Sequence, residues 1–185
     1  MNKLRLTVIR LSCVAQEGST MTEITAPQIL DQIRSAQNAY HKLVVIAGRP
    51  GSGKTRALKE LAGQLAMPVT NLSLLLSQRL LSLTRRQRTL KVEELATEVV
   101  DEQNGGNVCL DNTELLFDSS LRMNPLGFLQ DLSRNRLIVA TWSGLLNAGE
   151  LHFAHVGHPD FFQQTVSGYP VITVSEDKFH LYLTT

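Results

Sequence analysis

Residues 42–57 read Lys-Leu-Val-Val-Ile-Ala-Gly-Arg-Pro-Gly-Ser-Gly-Lys-Thr-Arg-Ala. An apolar run from Leu43 to Ala47 leads into a glycine-rich turn, and a helix-forming stretch follows Lys54 and Thr55. This is the pattern G-x-x-x-x-G-K-[ST] placed between a strand and a helix, the context in which it forms a phosphate-binding loop. The alternative is a glycine-rich turn that contains Lys-Thr by chance. The first interpretation predicts a fold organised around this loop.

Each part of the motif predicts a contact with a nucleotide. The glycines allow backbone N–H groups to point at phosphate oxygens, and the N-terminus of the next helix favours an anion. Lys54 is expected to reach the β- and γ-phosphates, and the Thr55 hydroxyl is expected to ligate Mg²⁺. The predicted cofactors are therefore ATP and Mg²⁺, held by Gly48, Arg49, Pro50, Gly51, Ser52, Gly53, Lys54, Thr55 and Arg56.

Length and composition favour a single soluble domain. The chain has 185 residues, of which 43% are hydrophobic and 19% charged, and its formal net charge is +1,. That charge indicates no particular partner, so any basic surface must be local. Cys13 and Cys109 have neither zinc spacing nor a disulfide pattern, which suits a reducing cytoplasm,.

The first twenty residues look different from the rest of the chain. Their apolar stretch is short and is interrupted by Arg10, so it fits a signal peptide poorly,. Met21 begins a second plausible start. We expect residues 1–20 to be a poorly ordered extension and residues 21–185 to form the domain. No apolar run is long enough to span a bilayer, so no membrane partner is predicted.

Apolar runs alternate with helical patterns along the domain, which is typical of α/β proteins. Helices are predicted at about 28–40, 55–65, 72–83, 93–102 and 126–132. Strands are predicted at 43–47, 69–72, 108–111, 137–141 and 171–174, with a sixth candidate at 179–183. The predicted fold is a P-loop NTPase domain, a three-layer α/β/α arrangement with a mainly parallel sheet of about five strands.

Polar side chains end two of these strands. Asp111 ends the third strand and Thr141 the fourth, and ligands bind at the carboxyl ends of parallel strands,. Asp111 is therefore predicted to hold Mg²⁺ opposite Thr55; the alternative is a cap on the following helix. Thr141 resembles a catalytic sensor that touches the γ-phosphate, although a strand-end threonine can also satisfy a loop.

The residue that acts on the attacking water has two candidates. Many ATPases place a glutamate directly after the metal-binding aspartate, but here that position is Asn112. Glu114 lies two residues later and could act as the base, whereas Asn112 could only orient the water because it cannot take a proton. Glu114 could alternatively be an acid favoured at a helix N-terminus. The predicted catalytic set is Lys54, Asn112, Glu114 and Thr141.

Two groups of arginines are candidates for a functional role. Arg134 and Arg136 precede the fourth strand, and one could be an arginine finger for a neighbouring subunit; we favour solvated cations at a helix end. The cluster Arg85, Arg86 and Arg88 could contact nucleic acid or form a lid over ATP, but such a cluster is usually solvated surface.

Three histidines are spaced three residues apart at 152, 155 and 158. This spacing on a helix could place two imidazoles together for a metal. Gly157 and Pro159 interrupt any helix here, and no further ligand completes a set. We therefore expect loop or interface histidines.

Several segments resemble the BrxF family of bacteriophage exclusion (BREX) defence systems. They are Val-Ile-Ala-Gly-Arg-Pro-Gly-Ser-Gly-Lys-Thr at 45–55, Leu-Asp-Asn-Thr-Glu-Leu-Leu-Phe-Asp at 110–118, Leu-Ser-Arg-Asn-Arg at 132–136, Ile-Val-Ala-Thr-Trp-Ser-Gly at 138–144 and Gly-His-Pro-Asp-Phe at 157–161. The second and third segments carry the resemblance, because the first is generic. It implies an ATPase-like component that works beside other defence proteins in a bacterial cytoplasm.

The sequence is compatible with three functions. The first is an ATP-hydrolysing subunit whose nucleotide state controls its partners. Because no C-terminal helical lid is apparent, it would not be a complete AAA-type motor, and a partner or a second copy of the chain would complete the site. The second is a small-molecule kinase. The third is a nucleotide-dependent binding module without turnover, which Asn112 supports. DNA contact is expected only weakly or through partners.

Overall fold

Strand β2 (Leu43–Gly48) lies at the centre of the sheet in the computed structural model, which describes residues 21–102, 106–175 and 178–182. All six residues of β2 are buried. The strand has a parallel neighbour on each side, and apolar clusters cover both of its faces. A continuous apolar run is what such a doubly covered strand requires. The predicted extension at residues 1–20 lies outside the described residues.

Five parallel strands form the body of the sheet, as the sequence predicts. Their spatial order is β8 (Val171–Ser175), β2, β5 (Ile138–Asn147), β4 (Val108–Asp111) and β3 (Val69–Asn71). Parallel strands joined by helices place all their carboxyl ends at one edge. The Gly48–Thr55 segment, Asp111 and Thr141 therefore lie at the same edge of the sheet.

Antiparallel strands extend this sheet, so it is mixed and larger than predicted. Strand β9 (Lys178–Tyr182) pairs with β8, and β1 (Met21–Glu23) pairs with β9. The described residues hold nine strands in total. The sixth strand candidate at 179–183 corresponds to β9, whereas β1 was not predicted, because three residues carry too few alternations to establish a period,.

A small antiparallel sheet follows the point where the fourth strand was predicted to end. Strand β5 continues to Asn147 and pairs with β6 (Glu150–Phe153), which pairs with β7 (Phe162–Thr165). Ala148 and Gly149 join β5 to β6 with φ angles of 47° and 80°, the positive values that tight hairpin turns need,. The prediction that this strand ends at Thr141 was wrong, because residues 144–147 pair with β6. We call β6, β7 and residues 144–147 the small sheet.

Helices cover both faces of the main sheet, which confirms the three layers. One apolar cluster contains residues of α1 (Ala26–Ala36) and α2 (Lys54–Leu65). The cluster on the other face contains residues of α3 (Leu72–Leu80), α4 (Arg85–Asp101) and α5 (Pro125–Leu132). Two short 3-10 helices, η1 (Glu114–Phe117) and η2 (Ser119–Leu121), follow β4.

Helix α4 begins eight residues before its predicted start at 93. The Thr84 hydroxyl accepts a hydrogen bond from the Gln87 amide, and the Gln87 side chain accepts one from the Thr84 amide. This reciprocal capping box starts the helix at Arg85. The Arg85–Arg88 cluster therefore lies in a first helical turn, not in a loop. No described helix has both the length and the apolar character to cross a membrane.

Candidate functional site

The turn between β2 and α2 follows a path that its glycines permit. A Cβ added to Gly48 would lie 2.4 Å from the Ser52 Oγ and 2.7 Å from the Val174 carbonyl oxygen. Gly53 has a φ of 93°, a left-handed conformation that L side chains avoid,. The Gly48–Thr55 loop therefore needs glycine at these two motif positions to fold back on itself.

Lys54 is held inside this loop. Its Nζ donates a hydrogen bond of 2.9 Å to the Arg49 carbonyl oxygen, and only 8% of the residue is exposed. Burial lowers the pKa of Lys54, and the negative charges of Glu114 and Asp111 partly oppose this shift,. The Lys54 ammonium group is therefore partly shielded from water, lies beside two carboxylates and can bind an anion.

Asp111 joins three elements through one carboxylate oxygen. Its Oδ1 accepts hydrogen bonds from the Thr55 hydroxyl at 3.1 Å and the Thr141 hydroxyl at 3.3 Å. Asp111 and Thr141 are buried, with 5% and 2% exposure. The structure therefore brings Thr55, at the start of α2, together with the two residues that the sequence placed at strand ends. Carboxylate and hydroxyl oxygens are ligands that suit a hard divalent cation such as Mg²⁺.

A left-handed residue turns the chain away from β4. Asn112 has a φ of 51°, and its carbonyl oxygen accepts a hydrogen bond of 2.9 Å from the Ser73 amide. The next residue is anchored as well, because the Thr113 hydroxyl donates to the Thr141 carbonyl oxygen at 2.6 Å. Together these contacts start η1 with Glu114 facing the Gly48–Thr55 loop.

Glu114 reaches the same site from η1. The Ser143 hydroxyl donates a hydrogen bond to Glu114 Oε1, which ties η1 to β5. Ser143 was not among the predicted site residues, because the strand was predicted to end at Thr141. The two-residue turn after Asn147 is the sequence feature that could have revealed the longer strand.

These residues line a cavity of about 620 Å³. One wall carries most of the predicted site, namely Arg49, Pro50, Gly51, Lys54, Thr55, Asp111, Asn112, Glu114 and Thr141. The wall also includes Leu145, His152 and Phe153 of the small sheet, and Ala154, which follows β6. Of the remaining residues predicted to hold the nucleotide, Ser52, Gly53 and Arg56 line a second cavity of about 660 Å³, and Gly48 lines neither cavity. The cavity thus holds every predicted catalytic residue, and the small sheet forms a wall that the sequence did not predict.

The two arginines before β5 lie at the other end of the sheet. Since they precede a parallel strand, they sit at the amino ends, away from the Gly48–Thr55 loop. Arg134 pairs with Asp131 at 2.9 Å and Arg136 pairs with Asp101 at 2.5 Å. Arg136 is not the solvated cation that we expected, because its side chain is only 15% exposed.

The second arginine group is also separate from the cavity. Arg88 donates hydrogen bonds to the carbonyl oxygens of Leu83 at 3.0 Å and Leu81 at 3.4 Å. Neither this residue nor Arg85 or Arg86 contributes to the cavity wall. Among the described residues, they therefore form no lid over the site.

The three histidines occupy different places. His152 lies in β6 and lines the cavity, so it is not in a loop, which was one of the two locations that we expected for the histidines. His155 and His158 lie in the connection between β6 and β7, with ring centroids 5.6 Å apart. Within the described part of the chain, no three His, Cys, Asp or Glu residues are grouped to hold a metal ion.

Comparison with known proteins adds little to this description. No family model and no curated protein matches this chain. Among solved structures, the chain is similar to PCH-2 from C. elegans, at 19% sequence identity and a TM-score of 0.38. The match covers 66% of this chain and 37% of the PCH-2 chain. The chain therefore spans well under two thirds of the length of that protein.

Proposed function

We propose that this chain binds ATP together with Mg²⁺ and hydrolyses it. The observation that carries the proposal is the shared Asp111 oxygen, which accepts from Thr55 and Thr141 beside the buried ammonium of Lys54. A phosphate-binding motif, a metal-binding carboxylate and a hydroxyl from the adjacent strand therefore meet in one cavity. This set fits the requirements of phosphoryl transfer, which are positioning and charge stabilisation.

The loop fits a polyphosphate. The buried Ser52 hydroxyl makes no hydrogen bond within the described residues, and the Gly48 position leaves no room for a side chain. Lys54 would exchange its bond to the Arg49 carbonyl for the β- and γ-phosphate oxygens. Backbone N–H groups at the start of α2 would bind the same anion.

The oxygen ligands fit a magnesium ion. Thr55 and Asp111 would hold the ion, which when bound neutralises charge on the phosphate oxygens. Thr141 would then be free to donate its hydroxyl hydrogen to the γ-phosphate. The proposal that Thr55 and Asp111 bind magnesium thus rests on their oxygen atoms and on the contact between the two side chains.

Glu114 is the better candidate for the base that takes a proton from water. Its carboxylate lines the cavity next to Lys54, and a carboxylate can accept a proton where an amide cannot,. Asn112 also lines the cavity, but its left-handed backbone explains why this residue type follows Asp111. We assign Asn112 to the turn and, at most, to orienting the water.

We further propose a role in a bacterial anti-phage system of the BREX type, in the cytoplasm. The resemblance of segments 110–118 and 132–136 to the BrxF family supports this setting. Arg49 is the one arginine in the wall of the cavity among the described residues, and it belongs to the loop itself. A partner protein or a second copy of the chain would therefore supply a finger, and nucleotide state would control assembly. DNA contact would come through such partners.

The proposal is tested by ATP binding and hydrolysis, measured with and without co-purified partners. Lys54→Ala should lose binding by about 10- to 100-fold, the value of one or two charge-assisted hydrogen bonds. Glu114→Gln should bind ATP and fail to turn it over. Lys91→Ala, which removes an exposed lysine of α4, is the matched control and should behave like the unaltered chain.

Other outcomes would favour the alternatives. Phosphate transfer to a small acceptor, found by screening acceptors with ATP, would favour a kinase. Tight binding that depends on Lys54, with no turnover in any mixture, would favour the binding module. Normal hydrolysis by Glu114→Gln, with loss in Asp111→Ala, would show that Glu114 is not the base.

A further inference from the structure

Ser143 lines the cavity and has no role in the mechanism proposed so far. It sits two residues after Thr141 on β5, opposite Gly48 on β2. Its hydroxyl donates to Glu114 Oε1. The serine thus connects the strand that carries Thr141 with the 3-10 helix that carries the proposed base.

The backbone around Ser143 is fixed from both sides. The preceding residue, Trp142, donates its indole N–H to the His152 carbonyl oxygen at 2.9 Å. The following residue, Gly144, packs so closely on β6 that an added Cβ would lie 1.8 Å from the same oxygen. Since both neighbours pack against β6, strand pairing fixes the backbone of Ser143, and the hydrogen bond to Glu114 fixes its hydroxyl.

Fewer contacts hold the Glu114 carboxylate in place than hold the backbone of Ser143. In residues 21–102, 106–175 and 178–182, Ser143 is the hydrogen-bond donor that contacts it. A glutamate side chain has three rotatable bonds, so a free carboxylate would sample many positions. One hydrogen bond to Oε1 restricts the carboxylate and leaves Oε2 available to the cavity.

We propose that Ser143 is a positioning residue that orients Glu114 toward the attacking water. This inference rests on the proposed ATP hydrolysis. Glu114 Oε2 accepts a proton from water, the water oxygen forms a bond to the γ-phosphorus, and the bond between that phosphorus and the ADP oxygen breaks. The proton then leaves Glu114 for the solvent, which restores the carboxylate. Ser143 keeps its own proton throughout.

A set of four chains tests the role: Ser143→Ala, Ser143→Thr, Glu114→Gln and the double variant Ser143→Ala/Glu114→Gln. Ser143→Ala should lower kcat by about 10- to 100-fold, the cost of a misplaced catalytic group, with ATP affinity unchanged. Ser143→Thr keeps a hydroxyl and suits a strand, so it should retain most of the activity. In the Glu114→Gln background, Ser143→Ala should cause no further loss.

A second measurement does not depend on turnover. Urea unfolding midpoints of the nucleotide-free chains should be non-additive, because Ser143→Ala and Glu114→Gln remove parts of one interaction. Ser77→Ala is the matched control, since its hydroxyl bonds the Leu74 carbonyl in α3, away from the cavity. It should be additive with Glu114→Gln.

Two results would overturn the inference. They are an equal fold-loss of kcat from Ser143→Ala in the unaltered chain and in the residual turnover of Glu114→Gln, and an unchanged kcat in Ser143→Ala. The failure of the proposed function is different, because there the unaltered chain itself would bind ATP without hydrolysing it, or would bind it independently of Lys54.

Discussion

Asn112 shows how one residue determines the geometry of the site. With a φ of 51°, it bends the chain directly after the buried Asp111. Asparagine adopts this left-handed conformation more readily than most residues, whereas a β-branched side chain is strained in it. The bend directs the chain into η1, which brings Glu114 into the cavity wall together with Asn112.

The stability of variants at residue 112 should depend on how readily the new residue adopts a left-handed backbone conformation. We expect Asn112→Gly to change the free energy of unfolding by less than about 0.5 kcal/mol and Asn112→Val to lower it by about 1–2 kcal/mol. Urea denaturation measures both. Asn112→Val as stable as the unaltered chain would contradict the importance of this turn.

Lys54 should make ATP affinity depend on pH. Because burial lowers its pKa from 10.5, the amine loses its proton in the folded chain at a lower pH than in the unfolded chain,. ATP affinity should therefore fall as the pH rises through that lowered value, while the phosphate charge stays constant above about pH 8. Titration of ATP affinity between about pH 8 and pH 10 measures this effect, with Lys54→Arg as the control because a guanidinium stays charged.

The lowered pKa of Lys54 also makes the free energy of unfolding depend on pH. Between the lowered pKa of Lys54 and 10.5, the unfolded chain binds more protons than the folded chain. The contribution of this group to the free energy of unfolding therefore rises with pH in that window. An affinity profile that is flat for the unaltered chain would rule out a lowered pKa at Lys54.

At the scale of elements, the small sheet is coupled to η1 by aromatic packing. The Phe117 ring of η1 stacks on Phe153 of β6 with centroids 3.9 Å apart and meets Trp142 edge-on at 4.6 Å. Asp160, in the β6–β7 connection, accepts a hydrogen bond of 2.9 Å from the Ser119 amide, and this bond lowers its pKa. The wall of the cavity and the helix that carries Glu114 therefore form one packed unit.

Gly144→Ala should break this unit. Its Cβ would lie 1.8 Å from the His152 carbonyl oxygen, so β6 must move away and the Trp142 hydrogen bond must break. We expect a loss of roughly 1–3 kcal/mol in the free energy of unfolding, typical of overpacking. Trp142 is the single tryptophan of the chain, so its fluorescence reports the change directly.

Gly63→Ala is the matched control for that variant. Gly63 lies inside α2, where an added Cβ meets nothing within 4 Å. Alanine is the better helix former, so this variant should gain about 0.5–1 kcal/mol. If both variants behaved alike, the close contact between β5 and β6 would not matter for stability.

On the scale of the whole molecule, the site depends on a sheet covered on both faces. Alternate residues of β2 contribute to opposite clusters, with Val45 in one and Ile46 in the other. Both clusters hold the strand rigidly up to the Gly48–Thr55 loop. Rigid supporting elements are what a binding site needs to keep its donors in place.

Cys109 offers a test of this buried sheet. It is fully buried in β4, and burial raises the pKa of its thiol to about 12. In a Cys13→Ser background, we expect thiol reagents to label Cys109 only when the sheet opens, so the labelling rate should follow global unfolding in urea. Fast labelling without denaturant would show that β4 is exposed by local motion.

Much of the fold could be predicted because its main strands are apolar on both faces. The runs at 43–47, 108–111 and 137–141 are strands of the parallel sheet. Thr55, Asp111 and Thr141 could be placed together because parallel strands end at one edge. The start of α4 and the small sheet were missed, because a capping box and a two-residue turn are short local features without a period.

The sequence by itself determined the strand–loop–helix around Gly48–Thr55, the three layers and the strand-end residues, since these follow from periodicity and local backbone chemistry. Only the tertiary structure decided that Ser143 bonds Glu114, that His152 lines the cavity and that Arg136 is half-buried in an ion pair with Asp101. Such contacts join residues that are far apart along the chain. They depend on how β5, β6, η1 and α4 pack together, which no local pattern encodes.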